Sequence, residues 1–150
     1  MMQGCYRTTM RRQGFIFAVF SALLIAGPLQ AADLVITVHG LRSDAGQLRL
    51  AIFDQAKEFP RGEKIRNRDI AAKAGDLIVV FKNIAPGAYA LAIHHDENIN
   101  KSMDTNFFGL PQEGYGFSNN ARVLFGPPTF EAASFNVGSK NATISLRVVY

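Results

Sequence analysis

Apolar side chains recur at every second position over most of this chain beyond residue 32, a period that builds strands and not helices. Leu34, Ile36 and Val38 alternate with Val35, Thr37 and His39, and Leu48, Leu50 and Ile52 alternate with Gln47, Arg49 and Ala51. Tyr89, Leu91 and Ile93 continue the pattern with Ala88, Ala90 and Ala92 opposite, and Ile144, Leu146, Val148 and Tyr150 close the chain against Ser145 and Arg147. Residues 77–81 are apolar on both faces, which suits the middle of a sheet, and a weaker strand falls around residues 69–73. The turn-rich link 40–46 is short enough to make the first two strands an antiparallel hairpin. Tyr89 follows the Pro86-Gly87 turn, where its hydroxyl can bond back to the turn backbone, and Thr129 is placed to cap one helical turn over residues 130–133. About seven short strands separated by turn signals imply an all-β fold, an antiparallel immunoglobulin-like or transthyretin-like β-sandwich with one long loop and a short helical turn, its last strand wet on the face of Ser145 and Arg147. A membrane barrel, suggested by the terminal aromatic, needs spanning strands of about 9–11 residues, and too few segments are that long.

The chain ahead of this pattern reads differently. Arg7, Arg11 and Arg12 precede residues 15–29, which carry no charge and are too short for a comfortable membrane span. Cleavage after Ala31 divides the chain into a signal peptide, 1–31, and a single domain, 32–150, that is periplasmic or secreted. The one cysteine, Cys5, lies ahead of the apolar run, so neither a lipid anchor nor a disulfide is expected. Three of the sixteen Lys and Arg also lie there, while all twelve Asp and Glu lie beyond it, which leaves the domain at +1 and gives no footing for a nucleic-acid partner.

Residues 96–120 break the alternation and form a loop of a length that is more often functional than idle. Asp96, Asn98, Asn100 and Asp104 fall at positions 1, 3, 5 and 9 of a calcium turn, whose ion takes hard oxygen ligands. Position 6 is Lys101 instead of glycine and position 12 is Phe107 instead of glutamate, so a full EF-hand is excluded; Glu113 is a carboxylate further on. The alternative is that Asx turns and water satisfy these side chains. His94 and His95 are neighbours on a strand and point to opposite faces, which argues against one ion shared between them. Phe107, Phe108, Tyr115 and Phe117 crowd the same loop. They either stack on a sugar ring or fold down as a plug over the open end of the sandwich, and the need of a long loop for its own small core favours the plug. Ser102, Ser118 and Ser134 lack a glycine elbow, and no nucleophile, base or carboxylate pair is identifiable, so catalysis is not expected.

The run PGAYALAIHHDEN at residues 86–98, followed by Asp104-Thr105-Asn106 and by Gly114-Tyr115-Gly116-Phe117-Ser118-Asn119-Asn120, resembles the bacterial domain of unknown function 2141 family. The opening strands and Phe130-Glu131-Ala132-Ala133 are also similar to it. The resemblance implies an exported sandwich, brings no established activity, and implies a glycine where this chain has Lys101. The expectation is therefore a non-catalytic extracytoplasmic module whose loop, ordered by calcium, presents Phe108, Tyr115 and Phe117 to a protein partner. The alternatives are a carbohydrate or small-ligand module using those aromatics and, behind it, a hydrolase or redox metalloprotein.

Overall fold

The computed structural model describes residues 30–150, so all but the last two residues of the expected signal peptide lie outside the described residues. Eight strands follow: β1 (Ala32–Leu41), β2 (Gln47–Phe53), β3 (Arg66–Ala71), β4 (Gly75–Ile84), β5 (Gly87–Asp96), β6 (Gly114–Phe117), β7 (Ser134–Val137) and β8 (Ala142–Arg147), with one helical turn, α1 (Phe130–Ala133), ahead of β7. They form the expected sandwich of two open sheets. The smaller has the order β4-β1-β8; the larger has the order β3-β2-β5-β6, with β7 also paired to β5. All pairings are antiparallel except β1 with β8, which run parallel. Among the described residues no helix is long and apolar enough to cross a membrane.

The first two strands are not a hairpin. β1 pairs with β4 and β8, while β2 pairs with β3 and β5, so the 42–46 link is an arch from one sheet to the other. The reason is burial. Leu34, Ile36 and Val38 on β1 and Leu48, Leu50 and Ile52 on β2 are all essentially inaccessible to solvent, and each set closes the core from its own sheet. Fully burying one such side chain is worth about 1.5–3 kcal/mol, and the arch lets the two rows face each other across the core. Gly46 permits the arch: its φ is +67°, and a Cβ there would stand 2.0 Å from the carbonyl oxygen of Asp96.

Residues 77–81 do not lie mid-sheet either. β4 is an edge strand, with Ile78 exposed on its outer face. The guanidinium of Arg68, on the edge strand of the other sheet, donates to Val80 O at 2.7 Å and so occupies one carbonyl of that open edge. Two local readings hold as expected. The Tyr89 hydroxyl donates to Ala85 O at 2.8 Å, and Thr129 Oγ1 accepts from Ala132 N to cap α1.

The supposed structureless loop is shortened by β6 and by a 3-10 turn, Ser118–Asn120. β5 is shared along one edge, with Gly87 to Ala90 bonding β7 and Ala92 to His95 bonding β6. Leu91 falls in the gap. Its N–H donates to Ser118 Oγ at 2.9 Å, and that hydroxyl donates onward to Ala133 O, so one buried serine replaces the missing ladder partner. At the end of the chain the Tyr150 hydroxyl accepts from Arg42 N at 3.0 Å and bonds His95 Nδ1 at 2.6 Å. Since His95 Nε2 faces the carbonyl of Ala45, that nitrogen carries the ring proton and Nδ1 accepts from the tyrosine.

Candidate functional site

The outer face of the larger sheet is partly covered by the connections that cross it. Side chains that alternate outward form two rows across four strands. One row is Asn67, Ala51, Ala92 and Phe117; the next is Asp69, Arg49, His94 and Tyr115. At one end of this face Phe59 packs edge-on against Phe53, Phe117 and Phe130, with ring centroids 5.5, 5.7 and 6.1 Å away, and makes a second small core with Ala90 and Ala133. Ala51 and Ala92 are direct cross-strand partners, and two methyl groups side by side leave the floor low between this aromatic cluster and the polar row. Residues from the connections after β2, β5 and β6 stand around it, among them Lys64, Leu110 and Leu124. The result is a groove of about 690 Å³, a size that accommodates a drug-sized ligand.

The polar row is fixed from below and from the side. Arg49 donates to Lys101 O at 2.8 Å and lies 3.5 Å from Asp69; His94 Nε2 bonds Glu113 Oε2 at 2.8 Å. Glu113 is buried and also accepts from the backbone N–H groups of Glu97 at 2.9 Å and Asp104 at 3.2 Å, so one carboxylate ties the groove's histidine to both ends of the loop. The sequence offered no spacing that marks this hub.

The four oxygen-bearing residues of the loop are brought together. Asp96 is fully buried and accepts from Asn100 N, Lys101 N and Gln47 Nε2 at 3.1, 2.9 and 3.1 Å. Asn98 Oδ1 accepts from Asn100 N and Asn100 Oδ1 from Ser102 N, which leaves both amide NH2 groups facing the two carboxylate oxygens of Asp104. The loop thus closes on itself with protein donors. Burial pushes the Asp96 carboxyl up, but the hydrogen bonds from Gln47 and Lys101, with His94 and Arg49 nearby, outweigh it and hold the group below the ordinary carboxylate range. Among the described residues no three His, Cys, Asp or Glu side chains are arranged to hold a metal ion, and His94 and His95 do point to opposite sides of the sheet.

The aromatics part company. Phe107 and Phe108 are 96% and 82% exposed, so they form no plug. Asn106 Oδ1 accepts from the N–H groups of Phe108 and Leu110 and holds a tight turn that turns both rings outward, packed edge-on against each other. Tyr115 and Phe117 line the groove, Phe117 with its ring engaged by Phe59. Phe108 does not line it, so the three do not share one stacking face.

A family model described as an uncharacterized protein conserved in bacteria, DUF2141, matches residues 36–145. The chain belongs to this family. No curated protein and no solved structure matches it.

In this DUF2141 domain Lys101 has φ +64°, the left-handed backbone that glycine adopts without steric cost. Its peptide groups make their bonds to Asp96 and Arg49 through the backbone alone, so glycine keeps them. Lys101→Gly is expected to raise stability by about 0.5–1 kcal/mol, read as a higher urea midpoint. Equal or lower stability would mean that the side chain contributes more than the strain removes.

The arch grips the same loop of the DUF2141 domain from the other side. Arg42 donates through two guanidinium nitrogens to the two oxygens of Glu97, and Ser43 Oγ donates to it at 2.8 Å, which together pull the Glu97 carboxyl down to about 2. The folded value lies below the ordinary one of 4.5, so this stabilisation is complete above pH 4.5 and is lost as pH falls toward 2. Arg42 is nearly half exposed, and screening reduces the contribution to about 1 kcal/mol. Thermal melts between pH 6 and 2 are expected to show this loss in the wild type and a shallower one in Glu97→Gln; parallel curves would contradict it.

Proposed function

We propose that the domain is an exported, non-catalytic binding module, periplasmic or secreted, whose groove on the outer face of the larger sheet holds a small ligand. The observation that carries this reading is the Ala51–Ala92 floor. A sheet face roofed by loops normally fills its interior with side chains, and here the two positions at the centre carry the smallest ones while β6 supplies Tyr115 and the surrounding connections supply Met103, Leu110 and Leu124 as walls. Export rests on the arginine-flanked apolar run 15–29. Protein isolated from the cell envelope or the medium should begin at Ala32. Titrated with the neutral apolar dye N-phenyl-1-naphthylamine, it should give a saturable fluorescence rise with a single dissociation constant. Dye that fails to saturate would overturn the groove, and a cytoplasmic chain that keeps Met1 would overturn export.

A second element of the reading is a weak calcium site in the loop, favoured by the Asx turns of Asn98 and Asn100 and the left-handed backbone of Lys101. Asp96, Asn98, Asn100 and Asp104 supply the oxygens. With two carboxylates among these positions, and with Asp104 obliged to release two amide groups, affinity belongs at the millimolar end of calcium sites. At about ten times a millimolar Kd the ion adds about 1.4 kcal/mol, several degrees of Tm for a domain of this size. Melts in about 10 mM calcium and in chelator should differ by that amount in the wild type and coincide in Asp104→Ala; coincident wild-type melts would leave the loop held by hydrogen bonds alone.

A further inference from the structure

The charged residues of the groove are unevenly matched. Arg49, Arg61, Lys64 and Lys101 line it against Asp69 alone, and Arg49 is already committed to Asp69 and to the carbonyl of Lys101. Among the described residues the side chains of Arg61, Lys64 and Lys101 make no ion pair or hydrogen bond, and all three are exposed. They are also placed to one side. Arg61 and Lys64 come from the connection between β2 and β3, and Lys101 is drawn over β2 by the bond its carbonyl accepts from Arg49. The large apolar members, Leu110, Leu124 and Phe125, come from the connections on either side of β6 and are unusually exposed.

Resting on the groove reading above, we infer that the ligand is a monomeric anionic amphiphile, a single aliphatic chain with a carboxylate or phosphate head. The chain lies over Ala51 and Ala92 against Leu110, Leu124 and Phe125, which hides these side chains from water, and the head reaches Arg61, Lys64 and Lys101. Charge complementarity decides against a neutral sugar, which leaves three cations unpaired, and against a cationic partner, which they repel. A free amphiphile fits better than a bilayer surface because the cations stand in the groove wall with a floor beneath them, where one head and one chain can be satisfied together.

The test is displacement of N-phenyl-1-naphthylamine by decanoate, dodecanoate, dodecyl phosphate and dodecanol, the anions below their micellar concentrations and the alcohol below its solubility limit. The two anionic C12 compounds are expected to displace the dye at concentrations at least tenfold lower than dodecanol. Dodecanoate should bind more tightly than decanoate, by up to about fourfold per methylene. In Arg61→Glu/Lys64→Glu the preference for anion over alcohol should vanish, and in Arg61→Lys/Lys64→Arg it should persist. Alcohol as potent as the carboxylate, or a preference unchanged in the charge-reversed variant, would overturn the anion and leave the groove standing. Absence of saturable dye binding would remove both. Flotation with anionic phospholipid vesicles without displacement by any monomer would make the patch a membrane-docking surface and overturn the inference.

Discussion

Asp96→Ala is expected to lower the stability of the domain by about 3–5 kcal/mol, read as a large fall in the urea midpoint with an unchanged slope. Asp96 is the last residue of β5 and fully buried, and its carboxylate satisfies the N–H groups of Asn100 and Lys101 and the amide of Gln47, with Arg49 at 3.9 Å. Alanine orphans three donors and leaves Arg49 with a single carboxylate neighbour, Asp69. Each buried unsatisfied group costs about 1–3 kcal/mol, and the loop can recover part of that by opening to water. Asp96→Asn retains one acceptor and should lose about half as much. Because the folded carboxyl sits below its ordinary value, its contribution is present at neutral pH and disappears as pH falls through the acid range. A loss under 1 kcal/mol in the alanine variant would show that the loop is not pinned from Asp96. This structural role also explains why Asp104, half-buried and bonded to loop amides, is the better position at which to test calcium.

Ala51→Trp should abolish dye binding, raising Kd at least tenfold, while Tm stays within a few degrees of the wild type. Ala51 faces outward between Asn67 and Ala92, and an indole placed there occupies the floor of the groove without entering the sandwich core. Ile78→Trp, on the exposed outer face of β4, is the control for a surface indole and should leave binding unchanged. Dye binding that survives in Ala51→Trp would place the ligand elsewhere.

The residues that alternate with period 2 were legible because one buried face writes itself directly into a strand. What the period does not reveal is which sheet a strand joins. Leu34–Val38 and Leu48–Ile52 look alike whether they pair edge to edge or close a core face to face, and only the arch at Gly46 separates the cases. The partial cover on the outer face of the larger sheet was not legible because its alanines, Ala51, Ala90 and Ala92, look neutral in sequence, and because the rings that pack there, Phe59 and Phe130, come from a distant connection and from α1. Asp96, Asn98, Asn100 and Asp104 could be read as one group from the sequence because they lie within nine residues and their contacts are local. Glu113 and Tyr150 were not recognised as anchors, since their partners lie 16 and 55 residues away.

The central claim, that the outer face of the larger sheet binds a ligand, is tested most directly by following backbone amide shifts during titration with N-phenyl-1-naphthylamine. The account predicts that Ala51, Ala92, His94 and Tyr115 move together and saturate with the Kd obtained from fluorescence, while Ile78 and Ile144 on the smaller sheet stay still. Shifts confined to the smaller sheet, or none at saturating dye, would contradict it.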